Sequence, residues 1–552
     1  MPRKAARTQR TPRYLEALLF LIPCAVFIAH ACLFRRWIVD DAGISFAYAR
    51  NLSAGYGLVS QPGLPPVEGY SNFSWILLLA PFFRLGLFHT LITPKVLSAV
   101  LVLLTFFVVR ILVTRELKES GFVSAVVLTL LALNTSFVVW CTSGLENPLY
   151  ALLLALLLLF SMRTVTAEAD RRGPALSGLL AAVAAMTRPD GIVYCVLYPI
   201  TAAAAVRLRP RRKAPSPYLA SILAYGASFA VLFGGFIAFR AAYFHDLVPN
   251  TYHAKGGPGV SDVVALLALQ PRTMVKLVDL MGSVAGGLGG LVFAVLTILT
   301  IYRISIRRFP PVLTVLATFL LWSVAAYLLL PKDWMGEYRF ATPFFVFLYL
   351  YSVILAKSTL ADLRLAPSLR REAMGLTAAA CLAGSAAIFA YRSVSFAVAP
   401  IVPFDRIVQR YARGFDRCAA ELGAPRPSLL IPDLGGTLYY SKLRIYDLAG
   451  LCDKTIAKTL RKNQQGFYDY VFEAAKPTFI HTHGVWTYAA KLDEDPRFRR
   501  DYVPIREAVD SFVKQRYRVA MYSGDYVRRD ALCSNPESLA RLRRVSGPTE
   551  NE

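Results

Sequence analysis

Two adjacent carboxylates, Asp40 and Asp41, directly follow the first long apolar run of the chain. A carboxylate pair at a membrane boundary suits general-base chemistry: one group takes a proton from an acceptor hydroxyl while its neighbour orients the site or raises its pKa. The bland alternative is that both merely cap the helix that follows and complement its dipole. That helix is expected at the surface, with Ile44, Tyr48 and Leu52 recurring every four residues and Gly55 and Gly57 ending the pattern.

Further along, Val67-Glu68-Gly69-Tyr70-Ser71-Asn72 places a carboxylate, a phenol and an amide close together, a set that can hydrogen-bond sugar hydroxyls or simply form a surface loop with interfacial aromatics. Glu146 sits before Pro148, at the expected start of another helix. Thr187-Arg188-Pro189-Asp190-Gly191 puts a cation between two apolar runs, where it needs an anion from Asp190 or from a lipid phosphate. Pro249-Asn250-Thr251-Tyr252-His253-Ala254-Lys255 adds an imidazole and an ammonium, and Lys332-Asp333-Trp334 with Glu337-Tyr338-Arg339 adds a guanidinium. Singly, each cation reads as an interfacial charge. Gathered on the face that holds the carboxylate pair, they would stabilise a leaving phosphate.

The elements that must position these residues are apolar. The 552 residues are 55% hydrophobic with a mean hydropathy of +0.45, above the usage of soluble domains. Eleven spans are expected, at 14–34, 93–113, 121–140, 147–163, 174–188, 191–206, 218–240, 283–302, 311–330, 340–357 and 374–395. The first reads as a signal anchor, being too long for a cleavable signal and lacking a small-residue cleavage site. The short run Trp75–Leu87 is expected to lie along the membrane, since it contains Pro81, Arg84 and Gly86.

The net charge of +25 falls largely in clusters between these runs. With the N-terminus (Arg3, Lys4, Arg7, Arg10, Arg13) inside, alternate connections are basic: Arg115 and Lys118; Arg163, Arg171 and Arg172; Arg207, Arg209, Arg211, Arg212 and Lys213; Arg303, Arg307 and Arg308; Arg364, Arg370 and Arg371. This pattern points to a bilayer rather than nucleic acid. All the chemistry-bearing connections (Arg36–Asn72, Trp140–Asn147, Arg188–Gly191, His245–Lys276, Pro331–Arg339) then share the outer face.

From about residue 396 the chain changes character, and a small extracytoplasmic α/β domain is expected over 396–552, following a membrane module over 1–395. Ser428–Pro432, Leu443–Tyr446 and Thr478–His481 read as strands, with a helical stretch at Phe467–Ala475. His481 and His483 read as a satisfied strand-end pair in preference to metal ligands. The eight cysteines show no metal-ligand spacing, and Cys418, Cys452 and Cys533 leave one disulfide open in this domain.

Taken in order, these motifs, with Asp433-Leu-Gly435 and Asp447-Leu-Ala-Gly450-Leu451, resemble the membrane-embedded glycosyltransferases of the GT-C class. More closely, they are similar to the bacterial subgroup that includes the terminal arabinofuranosyltransferases of the mycobacterial cell wall. The resemblance covers most of the chain; it is specific to the class and not to a sugar. It implies a polyprenyl-phosphate sugar donor, an outward-facing site in a bacterial inner membrane, and inverting transfer to an envelope glycan, glycolipid or protein. Asp40 would be the base and Asp41 its helper. Arg188, His253, Lys255 and Arg339 would face the donor phosphate, and Glu68, Tyr70, Asn72 and Glu146 the sugar or acceptor. Some members of the class use a divalent metal, so a metal stays open. A transporter or lipid flippase is the rival from another class, but carriers commonly show duplicated halves and midplane polar residues, whereas here the halves do not match, the polar residues gather at the outer ends and the spans carry few suitable charges. A non-catalytic scaffold presenting the tail domain leaves the Asp40–Asp41 pair unexplained.

Overall fold

The computed structural model describes residues 12–166, 172–208, 216–257, 259–331, 333–363, 366–532 and 536–545. The basic residues Arg3, Lys4, Arg7, Arg10, Arg171, Arg209, Arg211, Arg212, Lys213 and Arg364 lie outside these, as do Lys332 and Cys533.

A chain in hydrocarbon must satisfy its own backbone groups, so the apolar runs fold as helices. In order these are α1 (Arg13–Leu33), α2 (Ala42–Ser53), α3 (Phe73–Arg84), α4 (Ile92–Ile111), α5 (Gly121–Leu133), α6 (Thr135–Cys141), α7 (Asn147–Thr166), α8 (Gly173–Thr187) and α9 (Gly191–Tyr194). Then come α10 (Leu197–Leu208), α11 (Ser216–Phe244), α12 (Asn250–Lys255), α13 (Val260–Leu267), α14 (Pro271–Ala285), α15 (Gly289–Ser305), α16 (Pro311–Leu329), α17 (Thr342–Asp362) and α18 (Pro367–Val398). Among the described residues eight helices are long and apolar enough to cross a membrane, or nine if α5 and α6, bent by 72°, count as one span. The bend falls at Asn134, whose side chain accepts a hydrogen bond from the Phe137 amide (2.8 Å) and so starts a new helix. The protein is a multi-pass membrane protein.

The expected count of eleven is not met by length alone. α8 has 15 residues, about 22 Å of helix, short of a hydrocarbon core of roughly 30 Å. The next expected span is broken between α9 and α10. Counting both as spans would raise the eight or nine to ten or eleven. The 12 residues of α3 give about 18 Å, likewise short of that core. At the basic end of the bundle, Arg110 pairs with Glu16 and Arg163 with Glu116 (both 2.9 Å), Arg303 pairs with Asp362 (2.6 Å), and Lys357 pairs with Glu119.

α2 corrects an expectation. It is not a surface helix: Ala42 through Ala49 and Asn51 are buried, because α3 covers one side and a short tail helix, Leu434–Tyr440, covers another. Two glycines permit the crossing. A Cβ on Gly43 would lie 2.4 Å from the Gly435 carbonyl carbon, and one on Gly435 would lie 1.7 Å from the Asp40 carbonyl oxygen.

The C-terminal sheet contains β1 (Ser428–Ile431), β2 (Arg444–Asp447), β3 (Phe479–Thr482), β4 (Tyr502–Val509) and β5 (Tyr522–Arg528), in the order β2-β1-β3-β5-β4. β1 runs parallel to β2 and β3; β5 is antiparallel to β3 and β4. The first three strands are the expected ones, and helical turns occupy Gln464–Asp469 and Tyr470–Ala475. β4 and β5 escape a sequence reading because Pro504, Arg506 and Glu507 interrupt one and Gly524 the other. The tail joins the first loop directly after α18: the Asp40 amide donates to the Val402 carbonyl (3.0 Å) and the Phe404 amide to that of Ile38 (2.9 Å). Cys418 and Cys452 are free thiols.

Candidate active site

Asp40 is 4% exposed. Its carboxylate accepts hydrogen bonds from the backbone amides of Gly435 (2.9 Å) and Gly436 (2.7 Å). It therefore caps the tail helix Leu434–Tyr440 and not α2, whose N-cap, Asp41, makes no side-chain cap bond. Burial pushes Asp40 well above the usual carboxylate range; the charges of Asp433 and Asp41 add to this and the two amides oppose it. The Asp41 side chain is more accessible, at 24% exposure, and its carboxylate lies 3.9 Å from the Arg339 guanidinium.

Arg339 also lies 3.7 Å from Glu146, which pairs with Arg188 at 2.7 Å. Glu146 accepts from the Asn72 amide (2.9 Å), and Asn72 donates to Ser45 of α2 (2.9 Å). Burial alone would raise Glu146, but Arg188, Arg339 and Asn72 outweigh it and hold the carboxyl below its ordinary value. Arg188 is buried, with Glu146 on one nitrogen and Asp190 on another (2.9 Å). Of the two anions open to it in the sequence, Asp190 is the one at hand. Arg339 is held differently. Gly336, Glu337 and Tyr338 carry φ of +67°, +43° and +53°, left-handed backbone that costs a non-glycine residue roughly 1–2 kcal/mol. This turn and a bond from the Asn147 side chain to the Arg339 carbonyl (3.0 Å) aim the guanidinium inward. Its Nε is buried without a hydrogen-bond partner.

A second group forms around Glu68, where Arg240 of α11 grips the carboxylate through two nitrogens, at 2.7 and 3.1 Å. Burial pushes Glu68 up to about 6 against the pull of Arg240. Tyr70 is buried with its hydroxyl unpartnered and its ring 4.8 Å from that of Tyr48. The Asn250 amide nitrogen donates to the Glu68 carbonyl (3.0 Å), and its side chain donates to the carbonyls of Gly450 and Leu451 (2.8 Å each). His253 turns aside to Asp246 (2.9 Å), and Lys255 is exposed. The structure thus brings together Asp41, Arg339, Glu146, Asn72 and Arg188. Glu68 and Tyr70 belong to the neighbouring Arg240 group, while His253 is taken up by Asp246 and Lys255 is exposed.

Arg339 also lines a cavity of about 470 Å³ with Lys276, Asp279, Tyr327, Asp333, Tyr338 and Arg392. Lys276 donates to the carbonyls of Leu328 and Leu330 (3.0 and 2.7 Å), and Arg392 pairs with Glu337 (2.6 Å). Sequence reading overlooked Arg240, Lys276 and Arg392 as site residues. The available signal was a charge inside or at the edge of an apolar helix, which requires a partner. Nothing local to Gly435 and Gly436 could have tied them to Asp40. Among the described residues, one group brings potential metal-ligating atoms together: Asp433, His481 and His483.

The fold is GT-C-like: a helical membrane bundle with two 12-residue helices in the first loop and a C-terminal domain packed against the first of them. The solved structures it is similar to include the oligosaccharyltransferase of Archaeoglobus fulgidus in its apo form (TM-score 0.54, 12% identity, 87% of this chain and 71% of that one). The archaeal enzyme AglB in complex with an inhibitory peptide and a dolichol-phosphate has a TM-score of 0.52 at 10% identity, again over 87% and 71%. ArnT of Cupriavidus metallidurans, bound to undecaprenyl phosphate, has a TM-score of 0.53 at 13% identity, over 87% of this chain and 95% of that one. Residues 409–526 match a family model described only as a domain of unknown function, DUF8728. No curated protein matches the chain.

Proposed function

We propose that this chain is an inverting glycosyltransferase that moves a sugar from a polyprenyl-phosphate carrier to an acceptor hydroxyl on the outer face of a bacterial inner membrane. The observation that carries the reading is Arg339, which lies 3.9 Å from Asp41 while lining a cavity that also holds Lys276 and Arg392. Two of the similar structures hold a polyprenyl phosphate, and a leaving phosphate needs such cations as its charge develops. Arabinofuranose, the sugar of the subgroup that the sequence resembles, is the first donor to try, with an envelope glycan, glycolipid or protein as acceptor.

Asp41, the more exposed of the pair, is assigned to take the acceptor proton. Asp40, with both oxygens on backbone amides, is assigned to hold the first loop against the tail. The acceptor oxygen attacks the anomeric carbon, the bond from that carbon to the phosphate oxygen breaks, and polyprenyl phosphate leaves. Arg339 and Lys276 face the phosphate. Arg188 keeps Glu146 and Asn72 in place for the sugar, and Glu68 and Tyr70 order the adjoining acceptor side. His253 and Lys255, which stand apart, are assigned to lipid head groups.

The test is release of free polyprenyl phosphate, followed by mass spectrometry, from a panel of polyprenyl-phosphate sugars with envelope glycan. Purified wild type is compared with an Asp41→Asn variant. Release by wild type with loss in the variant supports the reading; equal release from both removes the carboxylate from the chemistry. Intact donors together with labelled lipid crossing proteoliposomes would replace the transferase by a transporter.

A further inference from the structure

β1 and β3 are parallel neighbours, so the segments leaving their C-terminal ends meet at one edge of the sheet, where open α/β sheets place ligands. Asp433 leaves β1 at this edge and His483 leaves β3, one residue beyond Thr482. The rings of His481 and His483 have centroids 5.4 Å apart. One ligand atom from each of Asp433, His481 and His483 lies within 4.8 Å of the others.

The environment of His481 distinguishes this group from a satisfied strand-end pair. The residue is 2% exposed, and its Nδ1 bonds Oδ1 of Asp525 at 2.6 Å. Asp525 stands directly opposite on antiparallel β5. A carboxylate there keeps the proton on Nδ1 and leaves the Nε2 lone pair free. That Nε2 is buried and has no hydrogen-bond partner. A buried acceptor without a donor is destabilising, and a metal ion would satisfy it.

We propose that Asp433, His481 and His483 bind a divalent first-row transition ion, with Zn²⁺ the best fit, water in the fourth position and Asp525 as a positioning carboxylate. Two imidazoles and one carboxylate form a donor set of this kind, whereas Mg²⁺ and Ca²⁺ prefer oxygen alone. Ligand atoms on a tetrahedral zinc lie about 3.3 Å apart. The Asp433–His483 contact of 2.7 Å opens slightly on binding, and His481 closes by side-chain rotation. The His483 and Asp433 side chains are 31% and 16% exposed, which gives the ion an entry path and room for water. The site also bears on the first loop. Gly435 and Gly436, whose amides hold Asp40, follow Asp433 by two and three positions, so an ion on Asp433 stiffens the turn that fastens Asp40. The proposal stands independently of the transferase reading, because its readout is metal and not sugar.

The full chain, purified in detergent and stripped with chelator, would be titrated with Co²⁺ as a visible-absorption probe and then with competing Zn²⁺. Wild type is expected to bind about one Co²⁺ per chain with the intense bands of a four-coordinate site, and Zn²⁺ to abolish them. Asp525→Asn should weaken binding about 10–100-fold, and His483→Ala and Asp433→Asn by more. His245→Ala should leave it unchanged. If His481→Ala fails to fold, His483→Ala, altering a partly exposed side chain, carries the test. Absence of the Co²⁺ bands in wild type, or undiminished bands in His483→Ala and Asp433→Asn, overturns the proposal.

Discussion

The Gly435 amide donates to the Asp40 carboxylate at 2.9 Å across 395 positions of sequence. Nothing larger than glycine fits there, since a Cβ on Gly435 would overlap the Asp40 backbone at 1.7 Å. The C-terminal domain is thereby attached to the carboxylate pair through its own backbone amides.

This contact predicts that Gly435→Ala destabilises the protein by about 1–3 kcal/mol, the usual penalty of forcing an atom into a filled space. Gly226→Ala, where nothing lies within 4 Å of the added carbon, should be neutral or mildly stabilising in its helix. Thermal unfolding of the two variants in one detergent measures the contrast, and equal behaviour would disprove the close approach.

The two aspartates should separate in kinetics. Asp41→Asn is expected to lower transfer by about 10²–10⁴-fold, the range of a lost general base, with little change in unfolding temperature. Asp40→Asn keeps one acceptor oxygen but turns an N–H₂ toward a backbone N–H, so it should lower stability and activity together. Rates and melting curves on the same preparations distinguish the two patterns.

Glu68 and Arg240 form a buried pair, with side chains 2% and 11% exposed. Removing Arg240 strands a carboxylate from which burial has already taken most of its hydration. Arg240→Met should therefore destabilise by about 3–5 kcal/mol, and Glu68→Gln added to it should restore part of that loss. A double-mutant cycle by chemical or thermal unfolding gives the coupling; strict additivity would show that the pair contributes nothing.

Asp447 predicts a pH dependence. Burial pushes its carboxyl up to about 7, although the Ala449 and Cys452 amides bond it. A carboxyl with a raised folded pKa binds more protons folded than unfolded, so its contribution to stability is largest at low pH. That contribution fades as pH rises from about 4 to about 7. Asp447→Asn should remove this component, leaving a flatter stability profile across that window. An unchanged slope would place the titration on another group.

The helices were legible because hydrocarbon length and backbone satisfaction leave few alternatives to a 20-residue apolar run. The charge alternation between those runs likewise predicted one end of the bundle for every chemistry-bearing connection. The structure joins all five of those connections through the contacts of Asp41, Asn72, Glu146, Arg188, Asn250 and Arg339. α8 and the α9–α10 break were harder to read, because a 15-residue helix has a span's composition without its length. β4 and β5 were missed because β4, at the sheet edge, tolerates a proline and charges, and Gly524 interrupts the pattern of β5.

By itself, the sequence determined that this chain lies in a membrane, that its polar chemistry collects between spans, and which residue types that chemistry has. Those properties follow from hydropathy and composition, which act locally along the chain. Tertiary structure decided which of the two aspartates is sealed and which is accessible, that Arg188 already holds two carboxylates, and that Arg240 belongs to Glu68. It also decided that His481 keeps one nitrogen without a partner. Pairing and burial at these positions depend on segments tens to hundreds of residues apart, and only the packed chain brings them into contact.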